Sequence, residues 1–248
     1  MNVNRYILAV AACLLLSLQG CASTPKVDLS PQELYQLGET AFQKSRYEAA
    51  VEQWKKVREA FPEPELAAKA EIGIANAYFL NKDYIEAGAA YEDFRKLHPA
   101  HELAQFALYR QSLASYNLIN GIDTDQTPTK NALTLFESFV RQYPKSQYAA
   151  KAQEKIIDCR AKLAQYEIYV GRFYYRTDNY KAAIGRFEKV LIDYPDYVGH
   201  DETLYYLAKS YREQKQYDKV RSISSRLIRE YPASTYLSGA RAMLADSP

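Results

Sequence analysis

The side chains best suited to chemistry in this 248-residue chain are its three histidines and three cysteines. His98 and His101 stand three apart in "KLHPAHELA", with Glu102 beside them. Two imidazoles and a carboxylate at that spacing are the beginning of a metal set. They are also what helix ends ordinarily carry. Cys159 lies inside "EKIIDCRAKLAQ" with no histidine near it in sequence to act as its base. A thiol placed so reads as a buried structural group rather than a nucleophile. Asp123 and Asp125 share the loop "NGIDTDQTPT" with too few further oxygen donors for a calcium loop. A phosphate-cradling glycine loop and a dinucleotide fingerprint are both missing from the sequence. These residues lead to the expectation of a non-enzymatic chain with no metal and no diffusible cofactor.

Cys21 is different because it sits on a boundary. Arg5 precedes an apolar run from Tyr6 to Leu18. At about 13 residues the run is too short to span a bilayer, which takes about 20, and has the length of a signal-peptide core. The run closes with "LQGC", Leu18 to Cys21, which resembles a bacterial lipobox. That resemblance implies cleavage before Cys21, a diacylglycerol on its sulfur and an acyl chain on its new amine. The other reading is a plain secretion signal with an incidental cysteine. Buried acyl chains contribute about 0.8 kcal/mol per CH₂, so three chains anchor firmly without a spanning helix. Ala22 stands where an aspartate implies retention at the inner membrane, so the implied address is the outer membrane, facing the periplasm. The expected organisation is a signal peptide over 1–20, a lipidated tether over 21–30 and a folded domain over 31–244. Loss of the signal removes one of 32 basic residues against 30 acidic ones. The near-neutral remainder gives no push toward nucleic acid. With Cys21 lipidated, Cys159 has no partner for a disulfide.

The folded part is organised by repetition. Five stretches end alike: "RYEAAVEQWKKVREAFP", "DYIEAGAAYEDFRKLHP", "KNALTLFESFVRQYP", "NYKAAIGRFEKVLIDYP" and "QYDKVRSISSRLIREYP". Their prolines are residues 62, 99, 144, 195 and 232. Each is an amphipathic helix that proline terminates. A second helical stretch precedes each. Leu34, Gly38, Tyr47, Ala50, Trp54 and Pro62 in the first repeat follow the tetratricopeptide pattern, as do Gly171, Tyr174, Tyr180, Ala183, Phe187 and Pro195 in the fourth. Small residues let paired helices approach and aromatics fill the gaps between pairs. The expected fold is all-α: a superhelical stack of five tetratricopeptide hairpins, with a long helix of about Gln147 to Arg176 between repeats 3 and 4. Ser224 occupies the aromatic position in repeat 5. Thr127 reads as the N-cap of the helix that begins at Pro128, and a capping helix is expected over Thr235 to Leu244.

Stacking curves such an array and lines its inner face with the first helix of each pair. In repeats 1 and 2 that face takes Tyr35, Glu39, Phe42, Ile72, Asn76 and Phe79. Together they make a partly apolar seat for an extended peptide; the competing reading is interhelix packing, above all for Ile72. In repeats 4 and 5 the same positions hold Ile168, Arg172, Tyr175 and Arg176, then Tyr205, Lys209 and Arg212. Arginine and tyrosine mixed on one face suit a protein interface. A solvated face of snorkelling side chains is the alternative.

Two segments, "DQTPTKNALTLFESFVRQYPKSQYAAKA" and "CRAKLAQYEIYVGRFYYRTDNYKAAIGRFEKVLIDYP", together with the lipobox, resemble the BamD/ComL family of tetratricopeptide lipoproteins of the outer-membrane β-barrel assembly complex. The resemblance runs over nearly the whole chain. It implies a scaffold whose C-terminal half binds the periplasmic domains of the β-barrel insertase. It also implies contacts with accessory lipoproteins, and an N-terminal half that receives signals of unfolded outer-membrane proteins. Carried over by position, the insertase-facing set includes Arg160, Glu167, Arg172 and Arg186, with Arg186 able to reach Glu167 in a purely structural network. A periplasmic adaptor in cell-wall maintenance, built from the same repeats, is the rival function.

Overall fold

A computed structural model of the chain describes residues 29–60 and 63–246. The signal segment, Cys21 and Pro62 lie outside the described residues. Eleven helices and no strand occur among them: α1 (Pro31–Gln43), α2 (Tyr47–Glu59), α3 (Pro64–Leu80), α4 (Tyr84–Leu97), α5 (Ala104–Asn117), α6 (Thr127–Gln142), α7 (Ala149–Arg176), α8 (Tyr180–Asp193), α9 (His200–Glu213), α10 (Tyr217–Glu230) and α11 (Leu237–Ala245). Each packs mainly on the helices before and after it, as in a solenoid. The pairs α1/α2, α3/α4, α5/α6, α7/α8 and α9/α10 are five tetratricopeptide hairpins. The first helices of neighbouring pairs also touch, α1 with α3 and α7 with α9, which puts them on the inner side of the curve.

Local chemistry sets the ends of these helices. Ser30 and Glu33 form a reciprocal capping box at the start of α1. His98, Tyr143, Tyr194 and Tyr231 close α4, α6, α8 and α10 with φ near −127° to −129° and ψ of 56° to 62°. Each precedes a proline, whose ring drives the preceding residue out of the α region. Within repeats 1, 2, 4 and 5 the two helices are joined by one three-residue turn. Its central residue is Ser45, Lys82, Asp178 or Lys215, with φ between 56° and 69°.

One register of side chains recurs through the core. Ala50, Ala87, Ala132, Ala183 and Val220 are fully buried, as are Trp54, Tyr91, Phe136, Phe187 and Ser224. Gly38 and Gly73 admit the ring of Trp54, and Gly171 admits that of Phe187. A Cβ on Gly38 would lie 2.4 Å from Trp54 Nε1, and one on Gly171 would lie 2.7 Å from Phe187 Cε1. Burial of these large rings, about 25 cal/mol per Å² of apolar surface, is what joins neighbouring pairs. Ser224 puts a hydroxyl with no hydrogen-bond partner at the aromatic site of repeat 5.

The 28-residue α7 serves two repeats. Its first half sends Ala152, Ile156 and Cys159 into a cluster with Phe136 and Phe139 of α6. Its second half sends Ala164 and Ile168 into the α8 cluster around Phe187. It therefore braces repeat 3 against repeat 4. The start of α6 corrects the expectation for Thr127. The cap position is Gln126, whose side chain makes no capping bond; Asp125 before it accepts from Thr127 N at 3.0 Å and from its hydroxyl at 2.8 Å. These bonds hold the Asp125 carboxyl below its ordinary range. Thr127 is the first helical residue, because the residue before Pro128 can still sit inside the first turn. The final helix runs from Leu237 rather than Thr235.

Candidate partner-binding surface

In repeats 1 and 2 Tyr35, Glu39, Phe42, Asn76 and Phe79, all expected to line a groove, are half-buried on the first helices. Phe42 on α1 packs against Trp54 and Tyr47 with ring centroids 5.5 and 5.6 Å apart, and Tyr35 lies 6.2 Å from Trp54. Burial and the neighbouring Glu39 carboxylate push the Tyr35 hydroxyl up to about 12. One turn of the stack further on, Tyr91 donates to Asn76 Oδ1 at 2.6 Å and accepts from Arg110 Nε at 3.2 Å. The Arg110 guanidinium lies 3.6 Å above the Phe79 ring. Tyr35 and Phe42 thus stand at one buried ring, Trp54, and Asn76 and Phe79 at the next, Tyr91, with Arg110 over Phe79. Ile72 does not belong with them. It is 8% exposed and packs with Ala87, Tyr91 and Phe94 in the core. Successive helical positions are 100° apart, and Ile72 falls on the side facing α4. Arg110 was not singled out in the sequence because α5 matches the repeat pattern loosely.

The second surface is built by α7, α8 and α9. Arg172 on α7 pairs with Glu202 on α9 at 2.8 Å and lies 5.1 Å from the Tyr206 ring. Glu167 accepts from Arg186 at 2.8 Å and has Lys189 at 3.7 Å. At 8% exposure Glu167 is a buried link between α7 and α8, so it corrects the picture of an exposed contact residue. Its role is to orient Arg186, which remains partly open. The pairing raises the Arg186 pKa above its ordinary value. Arg160 donates to the Asp193 carbonyl at 3.1 Å and stands 3.8 Å from Glu137. Arg212 pairs with Glu213 at 3.5 Å, and Arg176 is exposed at the end of α7. Lys209 points among Tyr175, Tyr205 and Tyr206.

A cleft of about 590 Å³ opens between α6, the first half of α7 and the turn after α8. Arg160 stands at its edge, and Ile157 and Val198, 62% and 89% exposed, present apolar surface at its rim. Residues more than 50 apart in sequence meet there, which no local pattern announces.

His98, His101 and Cys159 take structural places. His98 contacts Glu71 at 2.7 Å rather than Glu102, and His101 Nδ1 accepts from Leu103 N at 3.0 Å. Cys159 is fully buried, and burial pushes its thiol up to about 12. No helix among the described residues is long and apolar enough to cross a membrane.

The family YfiO, outer membrane lipoprotein, matches residues 27–224. The chain belongs to this family. Proteins named outer membrane protein assembly factor BamD are similar to it along most of their length. That of Rickettsia prowazekii is 33% identical over 207 residues, covering 84% of this chain and 82% of the relative. That of Vibrio cholerae is 30% identical, covering 72% and 79%, and that of Neisseria gonorrhoeae 28% identical, covering 94% and 91%. Among solved structures, a TPR repeats protein from Bacteroides fragilis superposes with a TM-score of 0.46 at 12% identity, covering 87% of this chain and 98% of the other. As a BamD-family member built on a tetratricopeptide scaffold, the chain is not an enzyme.

Proposed function

We propose that this protein is an assembly factor for outer-membrane proteins, tethered to the outer membrane by lipid on Cys21 and facing the periplasm. Its C-terminal repeats dock the periplasmic domains of a β-barrel insertase. Its N-terminal repeats receive extended segments of unfolded outer-membrane proteins, and accessory assembly lipoproteins share the scaffold. The observation that carries this reading is the family match over 27–224, joined to relatives that bear the assembly-factor name along most of their length. The division of the surface supports it. The half-buried rings Tyr35 and Phe42 in one repeat and Phe79 in the next suit a peptide with apolar side chains at intervals. The ion-paired, tyrosine-rich face from Arg160 to Arg212 and the cleft with Ile157 and Val198 suit a folded partner.

Photo-crosslinking residues at positions 79 and 198, introduced into the full-length lipoprotein in cells, test the division. Position 198 should capture the insertase, and position 79 should capture newly exported barrel precursors. The opposite assignment, or capture of neither, would refute it. For the anchor, labelled palmitate should enter the unaltered protein and not a Cys21→Ser variant. Label in the variant would end that part of the reading.

A further inference from the structure

Lys209 lies in the middle of α9 with its ammonium 4.8 Å from the ring centre of Tyr175, 5.5 Å from that of Tyr205 and 5.6 Å from that of Tyr206. Three rings from two helices therefore surround one cation. No carboxylate among the described residues comes within ion-pair distance of it. Glu213 is engaged by Arg212 at 3.5 Å, and Glu202 by Arg172 at 2.8 Å. Burial and the like charge of Arg212 make the ammonium harder to keep protonated, against a smaller opposing pull from the Glu213 carboxylate. Lys209 is half-buried, and ring faces return only part of the hydration that a cation loses there. The stack alone would be served as well by methionine, which fills the same space without the charge.

The box is also held in place. Tyr205 stacks on Tyr236 with centroids 4.8 Å apart. Gly239 of α11 makes room for the ring, since a Cβ there would lie 2.6 Å from Tyr205 Cε2. Tyr175 and Tyr206 meet edge to face at 5.9 Å. A pre-set cation in an aromatic frame, on the inner side of the stack, is complementary to one anionic group that brings its own charge and leaves the rings in contact with its apolar neighbours.

We propose that Lys209 and its three tyrosines form a recognition site for a carboxylate side chain of the polypeptide that docks on the C-terminal repeats. The proposal rests on reading those repeats as the docking half. A polypeptide is the occupant because the site lies among first helices on the inside of the curve, where a protruding side chain fits and a flat bilayer surface does not.

The test uses the full-length protein in detergent and a fluorescent, end-blocked hexaglutamate peptide, with hexaglutamine as the neutral probe. Vesicles of phosphatidylcholine containing phosphatidylglycerol serve as the lipid probe. Hexaglutamate should bind saturably and hexaglutamine should not. Losing one charge-assisted hydrogen bond weakens binding by about tenfold or more, so Lys209→Met should show that loss. The exposed Lys151→Met should bind like the unaltered protein, and Lys209→Arg should restore most of the affinity. Equal melting temperatures of Lys209→Met and the unaltered protein separate lost recognition from lost folding. Absence of hexaglutamate binding, undiminished binding by Lys209→Met, or Lys209-dependent binding of the vesicles alone would overturn the proposal. Insertase capture by the same variants is read separately. Capture by the unaltered protein together with undiminished peptide binding by Lys209→Met sinks this inference and leaves the docking role standing. Failure of capture by the unaltered protein sinks the docking role itself.

Discussion

Replacing Gly171 with alanine adds one methyl group at the tightest point of the fourth helix pair. That methyl would lie 2.7, 2.9 and 3.1 Å from three ring carbons of Phe187, well inside the ordinary carbon contact of about 3.5–4.0 Å. Phe187 is fully buried and stacks on Tyr206 at 6.0 Å, so its ring has no open space to enter. Overpacking of this kind costs about 1–3 kcal/mol, and removing a mid-helix glycine returns about 1 kcal/mol. Three simultaneous short contacts against a trapped ring place the cost at the upper end, leaving a net loss of about 2 kcal/mol. Gly185 on α8 supplies the contrast within the same repeat. Nothing lies within 4 Å of a Cβ built there, so Gly185→Ala should gain about 1 kcal/mol from propensity alone. In a chain of this size each kcal/mol moves the melting temperature by about 2–4 °C. Far-ultraviolet circular dichroism should therefore show Gly171→Ala melting about 4–8 °C lower and Gly185→Ala about 2–4 °C higher. Shortening the ring in Gly171→Ala/Phe187→Leu should recover part of the loss. A Gly171→Ala protein that melts at or above the unaltered one would refute the idea that ring-on-glycine contact sets the spacing of the pair.

Other outcomes follow from the same packing. Ser224→Ala removes a buried hydroxyl that has no partner, and should raise the urea midpoint by an amount equivalent to about 1 kcal/mol. Lys215→Gly relieves a left-handed conformation at φ 56°, and should stabilise by about 1 kcal/mol in the same assay; a loss would mean the turn is held by its side chain. Stability should fall as pH rises above about 8.5. Cys159 and Tyr35 are raised to about 12 in the folded chain, and burial moves Tyr116 and Tyr211 in the same direction. The folded state thus binds these protons more tightly than the unfolded state, whose free thiol ionises near about 8.5. The contribution is fully present below that value and is lost as pH climbs toward 12. A urea midpoint that stays constant or rises between about pH 8 and pH 10.5 would contradict the sign.

How much could be read beforehand depends on which side chains speak locally. The hairpins were legible because Pro99, Pro144, Pro195 and Pro232 end helices through their immediate neighbours, and because the alanine and aromatic positions keep one register from Ala50 and Trp54 to Val220 and Ser224. The length of α7 was legible from its lack of proline, whereas its double duty shows only in how its two halves pack. The recurring left-handed turn was silent, since serine, lysine and aspartate occupy positions where glycine would have marked it. Ile72 was misplaced because the side of a helix that meets its own hairpin partner and the side that faces the groove are only one residue apart. Glu167 reads as surface by its type, yet its burial follows from Arg186 and Lys189 arriving on the next helix. Arg110 over Phe79, the Lys209 box and the cleft beside Arg160 each join separate helices, so curvature of the stack creates them.

The central proposal is that this stack, tethered by lipid on Cys21, holds the outer-membrane assembly machinery without altering it chemically. Crosslinked affinity purification of the full-length lipoprotein from outer membranes, with partners identified by mass, tests it most directly. The expected result is a β-barrel insertase joined to the repeats around α7 to α9. Recovery of division or wall-synthesis proteins in place of any insertase would contradict it.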